Sequence, residues 1–170
     1  MLLLQTIAQE WDDYCIIKKM VIEVKSETQM KQLGMRLGRS LRGGEVIELI
    51  GDVGAGKTTI TKGIASGMGI DEDVQSPSFT ISRVYDTPQK LRLAHYDFYR
   101  VHDAGIMAGE LRETVHDMET VTIIEWAEIV SGVLPDDRLT VHITPVSETV
   151  RRVEISASGE RSQLFLKELQ

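Results

Sequence analysis

The sequence predicts an α/β sandwich: a mixed, mostly parallel sheet of about seven strands with helices on both faces. Three observations carry this expectation. A strand-like run, Glu45-Val46-Ile47-Glu48-Leu49-Ile50, leads directly into a glycine-rich turn and then a helix-like segment. Further apolar, β-prone runs recur at Thr80–Tyr85, Leu91–Tyr96, Val121–Ile124, Leu139–Ile143 and Val150–Ile155. Helix-like stretches separate several of them, and a strand, a crossover helix and a parallel strand join right-handedly.

In chain order, residues 1–19 form an extension ahead of a domain over 20–170. Its start, Met1-Leu2-Leu3-Leu4, is apolar but has no basic residue before it, and Glu10, Asp12 and Asp13 follow closely, so neither a signal peptide nor a membrane span is expected. Val21–Val24 reads as a short strand. Ser26-Glu27-Thr28-Gln29 has the form of a capping box, and Met30, Leu33, Leu37 and Leu41 follow at helical spacing before Gly43-Gly44. A second helix runs from Thr58 to about Met68, stopping at Gly67 or Gly69. Ala104–Met118 and Trp126–Ser131 also read as helical. Pro145-Val146-Ser147-Glu148 is turn-like and joins the last two strands as an antiparallel hairpin. Glu160–Leu169 closes the chain as a helix with Leu164, Phe165 and Leu169 on one side.

Composition narrows the function. The chain has 170 residues, enough for one domain with a substantial core. Cys15 is the only cysteine, which excludes an intramolecular disulfide and a multi-cysteine zinc site and suits the cytoplasm. The 19 Lys plus Arg against 26 Asp plus Glu leave a net charge of -7, which opposes autonomous binding to a polyanion. Contact with a nucleic acid would go through a partner.

The strongest chemical signal is Gly51-Asp52-Val53-Gly54-Ala55-Gly56-Lys57-Thr58, which fits every fixed position of the P-loop of nucleoside triphosphatases. Gly51, Gly54 and Gly56 let backbone N–H groups approach phosphate, and the following helix adds its positive end. Lys57 is suited to the β and γ phosphates and Thr58 to Mg²⁺. The bland reading is a glycine turn between strand and helix.

Such a site takes an acidic group from the end of a neighbouring strand. Glu125 follows Val121–Ile124, and Asp97 follows Leu91–Tyr96. The catalytic candidates are therefore Lys57, Asp97 and Glu125, with Thr58 and Glu125 for the metal. Structural alternatives stand beside them: Glu125 as neighbour of a helix cap, Asp97 as a cap or an Arg100 partner. His95 fits a core position or a ligand role equally, and with no Cys or His cluster nearby zinc is rejected. Tyr96, Phe98 and Tyr99 read as packing residues. The hydroxyls of Ser76-Pro77-Ser78-Phe79-Thr80 serve either to sense a γ-phosphate or simply in a polar turn. The chain contains no asparagine, hence no Asn-Lys-x-Asp guanine element, so ATP is the expected nucleotide.

Taken in order, Gly51–Thr59, Ser76–Thr80, His95-Tyr96-Asp97-Phe98-Tyr99-Arg100 and Ile124-Glu125-Trp126 resemble the TsaE family of bacterial ATPases. The resemblance runs from about Val21 to about Ser158, includes Gly132-Val133-Leu134-Pro135-Asp136, and leaves the extension uncovered. It implies a role in making threonylcarbamoyladenosine, the modified base beside the anticodon of tRNAs that read codons beginning with A. The implied partners are a transferase subunit and its inactive paralogue, whose turnover ATP hydrolysis supports; tRNA is met only indirectly, and no membrane is involved.

Carried over by residue, the resemblance has Lys57 hold phosphate, Thr58 and Glu125 ligate Mg²⁺, and Asp97 position or activate water. The loop residues Gly51, Asp52, Val53, Gly54, Ala55 and Gly56 would surround the nucleotide, with Thr59 a lesser contact. The segment Lys25–Glu27, Ser26 in particular, and an arginine near the last hairpin, Arg151 or Arg152, would lie beside it. Ser78 stands where the family usually has threonine and keeps the hydroxyl. Two other readings compete: a small-molecule kinase, which needs an arginine-rich lid, and a nucleotide-gated adaptor whose ATP turnover is incidental.

Overall fold

A computed structural model describes residues 6–8 and 18–169, with backbone alone for 6–8 and Lys18; the rest of the extension lies outside the described residues. Strands β1 (Thr6–Ala8), β2 (Lys18–Val24), β3 (Val46–Ile50), β4 (Ser82–Asp86), β5 (Arg92–Asp97), β6 (Thr120–Glu125), β7 (Leu139–Pro145) and β8 (Arg151–Ala157) form one sheet in the order β1-β2-β8-β7-β3-β6-β5-β4. The four central strands, β7, β3, β6 and β5, are parallel. Antiparallel pairs flank them: β7 with β8, β8 with β2, and β5 with β4. The mixed sheet is as expected, its parallel part confined to the centre. Strand β2 begins at Lys18, before the expected Val21, so the boundary drawn after residue 19 falls inside it.

Helices α1 (Glu27–Ser40), α2 (Lys57–Gly67), α3 (Gly105–Thr114) and α4 (Glu160–Glu168) cover the sheet. Alternation along the strands splits the core in two. Ile47, Leu49, Leu93, Val121 and Ile123 face α1, α2 and α4, whose Leu33, Leu37, Ile60, Ile64, Phe165 and Leu166 meet them. Val46, Ala94, Tyr96 and Ile124 face the opposite way, toward Leu111 of α3 and Ala127 and Val130 of a short 3-10 helix, Ala127–Val133. Truncating one such buried Leu or Ile to Ala costs about 2–5 kcal/mol, whereas an exposed ion pair such as Lys31–Glu27 is worth roughly 0–1 kcal/mol. Packing therefore holds the fold.

The contact that matters most for the site is between α1 and α2. Gly34 and Gly38 of α1 face Gly63 and Gly67 of α2 so closely that a Cβ on Gly38 would lie 2.1 Å from the Ile64 carbonyl oxygen, and one on Gly63 2.3 Å from that of Lys31. Backbone meets backbone there, so the first turn of α1 is fixed relative to the helix that follows the glycine loop. At that first turn Ser26 Oγ accepts from Gln29 N–H (3.2 Å), while Gln29 Oε1 accepts from Lys25 N–H (2.7 Å). The expected capping box is present, with its return bond shifted one residue outward.

Three expectations need correction. α3 ends at Thr114, short of Met118, because Asp117 folds the next turn by accepting from Glu119 N–H and Thr120 Oγ at the entry to β6. The helix expected at Trp126–Ser131 is the 3-10 segment Ala127–Val133. In α4 the buried side is Phe165, Leu166 and Leu169, and Leu164 is 57% exposed. The hairpin forms as expected, closed by Val146 N–H to the Val150 carbonyl at 2.9 Å.

Candidate functional site

The glycine loop leaves the end of β3, the strand flanked by β6 and β7, and enters α2 at Lys57. Gly54 (φ 78°) and Gly56 (φ 114°) occupy left-handed backbone that favours glycine. A Cβ at Gly51 would stand 2.6 Å from the Ile143 carbonyl oxygen of β7. Gly56 takes the N-cap position of α2, and no side chain caps that helix. Its first N–H groups and the positive end of its dipole thus point out of the loop, the arrangement that binds anions. Lys57 is folded back over the turn: Nζ donates to the carbonyls of Gly51 (2.7 Å) and Asp52 (3.1 Å) and lies 4.4 Å from the ring centroid of Trp126.

Two carboxylates stand beside the loop. Asp97 and Glu125 end the adjacent parallel strands β5 and β6 and are register partners. Asp97 is well supplied with donors. Ser76 Oγ and Ser78 Oγ donate to its Oδ2 at 2.5 and 2.6 Å, and Tyr99 N–H donates to Oδ1 at 3.0 Å. Burial pushes its pKa upward, but these hydrogen bonds, with a smaller contribution from His95, outweigh that and hold the carboxyl below its ordinary value. Arg100 is not its partner; that guanidinium lies 5.1 Å from the ring centroid of Phe79. The capping alternative for Asp97 is partly met, through Tyr99 N–H.

Glu125 is buried at 3% exposure, and its one side-chain partner among the described residues is His95, Nε2 to Oε1 at 3.0 Å. It caps no helix.

Two cavities flank the loop and share Gly54, Gly56 and Thr59 in their walls. One, of about 340 Å³, is lined by Lys57, Thr58, Asp97 and Glu125, together with Val53, Ser76, Ser78, Tyr99, Arg100 and Trp126. The other, of about 400 Å³, is lined by Lys25, Ser26, Glu27, Met30, Ala55, Glu148, Thr149 and Arg151. Gly51 and Asp52 instead border a third cavity of about 210 Å³ behind the loop. Of the two candidate arginines, Arg151 reaches the loop, its Nε donating to the Ala55 carbonyl at 3.2 Å, while Arg152 is exposed. Adjacent residues on a strand face opposite ways, and the register of β8 selects Arg151.

From sequence alone Trp126 has no assigned role and Tyr99 reads as packing. The two rings meet at a centroid distance of 5.0 Å, and both line the cavity that holds Lys57. A tryptophan directly after the acidic end of β6 was the available signal. Tyr96 and Phe98, by contrast, are buried and stacked, as expected.

A central strand running into a glycine loop, an uncapped helix behind it and two acidic strand ends beside it define an α/β protein of the P-loop class. Within that class the chain belongs to the TsaE family: the family model described as "Threonylcarbamoyl adenosine biosynthesis protein TsaE" matches residues 24–153. The chain is 40% identical over 126 residues to the tRNA threonylcarbamoyladenosine biosynthesis protein TsaE of Bacillus subtilis, covering 74% of this chain and 78% of that protein. It is 36% identical over 140 residues to the Streptomyces coelicolor protein of the same name, covering 78% and 93%. The solved structure titled "Crystal structure of Bacillus subtilus YdiB" superposes with a TM-score of 0.77 at 33% identity, covering 91% of this chain and 95% of that one. The family takes part in tRNA threonylcarbamoyladenosine biosynthesis. Among the described residues no helix is long and apolar enough to cross a membrane.

Proposed function

We propose that this chain is the Mg²⁺-dependent ATP-hydrolysing subunit of tRNA threonylcarbamoyladenosine synthesis, acting in the cytoplasm on a transferase and its inactive paralogue to support their turnover. The observation that carries this reading is the pair of cavities on either side of one uncapped P-loop, the acidic strand ends in one and the α1 and hairpin residues in the other.

The residues fit both cofactors. The uncapped first turn of α2 offers N–H donors to a polyphosphate. Glu125 Oε2 carries no hydrogen bond among the described residues, and with the Thr58 hydroxyl it forms a hard oxygen donor set. Mg²⁺ suits one or two protein oxygens completed by phosphate and water, so the lack of any three-residue metal cluster among the described residues agrees with it. When bound, Mg²⁺ neutralises charge on the phosphoryl oxygens.

The chain's own groups supply the rest. Lys57, which lines the same cavity as Glu125, would set its charge against the β and γ phosphates of a bound nucleotide. Asp97, held by three donors, positions the Ser76–Ser78 hydroxyls at the edge of the phosphate cavity. Arg151, which also donates to the carbonyls of Ser147, Glu148 and Val150, braces the hairpin against the loop. That commitment disfavours the kinase alternative, since Arg151 is not free to serve in an arginine lid.

The test is phosphate release from ATP with and without Mg²⁺, alone and with the transferase heterodimer added. Turnover should require Mg²⁺, rise with the heterodimer and fall on the order of 100-fold in Lys57→Ala. Full support of the modification by a hydrolysis-dead Glu125→Gln chain would favour the adaptor reading instead.

A further inference from the structure

His95 is fully buried and borders both carboxylates of the site without lining the cavity itself. It lies on β5 two residues before Asp97 and faces the same side of the sheet, opposite Ile123 of β6. Its Nε2 meets Glu125 Oε1 at 3.0 Å, and its Nδ1 is buried with no hydrogen-bond partner. Those two facts together assign the ring hydrogen. A carboxylate oxygen only accepts, so Nε2 must donate. A hydrogen on Nδ1 would be an orphaned buried donor, which folded proteins rarely tolerate, whereas a bare ring nitrogen is an acceptor left idle. Nε2 therefore carries the hydrogen.

The consequence falls on Glu125. With Oε1 taken by a donor anchored inside the sheet, its carboxylate cannot swing freely, and Oε2 is the oxygen left to the cavity. We infer that His95 is a positioning residue for this site: through Nε2–H it fixes the orientation of the Glu125 carboxylate so that Oε2 faces the cation accompanying the nucleotide. The inference rests on the reading of the cavity as a nucleotide and metal site. A core histidine retained only for packing is the competing explanation, and the two differ in what the replacement must preserve. Packing requires the ring volume. Positioning requires a hydrogen-bond donor at the place of Nε2.

The experiment uses Mn²⁺ as a spectroscopic stand-in for Mg²⁺ and a non-hydrolysable ATP analogue, with the cation's binding midpoint read by electron paramagnetic resonance on the full chain. His95→Phe keeps a ring and loses the donor; His95→Gln loses the ring and keeps an amide N–H at the equivalent reach. His95→Phe should raise the midpoint at least about tenfold, within the 10–100-fold range of losses caused by removing the partner of a metal-ligating group. His95→Gln should stay within roughly threefold of the parent. Equal midpoints for parent and His95→Phe, or equal losses in both variants, would overturn the inference. No cation binding by the parent would overturn the underlying reading of the cavity, a different result. Should His95→Phe not fold, ¹⁵N-histidine spectra of the parent decide. They should show the Nε2–H tautomer for the signal missing in His95→Gln, shifting when Mg²⁺ and nucleotide are added. An Nδ1–H tautomer or an unmoved signal would overturn the inference equally.

Discussion

Asp97 and Glu125 are register partners at the ends of neighbouring parallel strands, both nearly buried, yet their surroundings are opposite. Asp97 accepts three hydrogen bonds, one on Oδ1 and two on Oδ2, from the segment before β4 and the turn after β5. Glu125 has one side-chain partner among the described residues, His95 on Oε1 from inside the sheet, and it lines the cavity with no hydrogen bond on Oε2. A carboxylate whose lone pairs are spent on protein donors is poorly placed to ligate a cation; one with a free oxygen and a fixed orientation is well placed. Acidic residue type at a strand end is therefore only half of a site assignment. The other half is how many donors the fold has already aimed at it.

The largest expected effect comes from removing the charge at the open carboxylate. Glu125→Gln should lower steady-state ATP turnover by about 100-fold or more, the usual cost of losing one preorganised electrostatic contact in a phosphoryl-transfer site. Turnover within threefold of the parent would mean that Glu125 is not the group balancing the cation. Asp97→Asn should be milder, roughly 10- to 100-fold in kcat, with the Mg²⁺ requirement unchanged. An amide at position 97 has one acceptor oxygen, so it cannot serve the two serines and Tyr99 N–H together as the carboxylate does, and the resulting misplacement acts through geometry. A shifted Mg²⁺ requirement in Asp97→Asn would exchange the two roles.

Smaller effects probe the clamp itself. Ser76→Ala and Ser78→Ala should each reduce stability by about 1 kcal/mol in urea unfolding. Because both hydroxyls share Oδ2, the double variant should depart from the sum by about 0.5–3 kcal/mol. Additive losses would argue that the hydroxyls act separately. Acid supplies the smallest test. Asp97 has a depressed pKa in the folded chain, so its stabilising contribution is complete above the ordinary value of 3.8 and is lost as the pH falls below it through the folded value. From about pH 4 downward the parent should therefore lose more stability than Asp97→Asn does. Parallel acid limbs would show that the hydrogen bonds do not favour the charged form.

Much of the architecture was legible because it is written in local spacing. The glycines of the loop, the Ser26–Gln29 cap, the Pro145 hairpin and the apolar runs of β3 and β6 all depend on neighbours in sequence, and each formed. What was not legible depends on register and on partners far along the chain. Arg151 and Arg152 are indistinguishable until β8 pairs with β7 and β2. Leu164 and Leu166 exchange places because the buried face of α4 is set by the sheet it meets, not by its own periodicity. His95 showed no purpose until Glu125, thirty residues on, came within 3.0 Å. Ser76 and Ser78 were visible as hydroxyls, but that both turn toward Asp97 is a tertiary fact.

The division of labour between the two carboxylates is tested most directly by cation binding without catalysis. With a non-hydrolysable ATP analogue present, Mn²⁺ should bind Asp97→Asn within about threefold of the parent and bind Glu125→Gln at least roughly tenfold more weakly, as expected when a ligand is lost and when it is spared. Weakened binding in Asp97→Asn with parent-like binding in Glu125→Gln would contradict it.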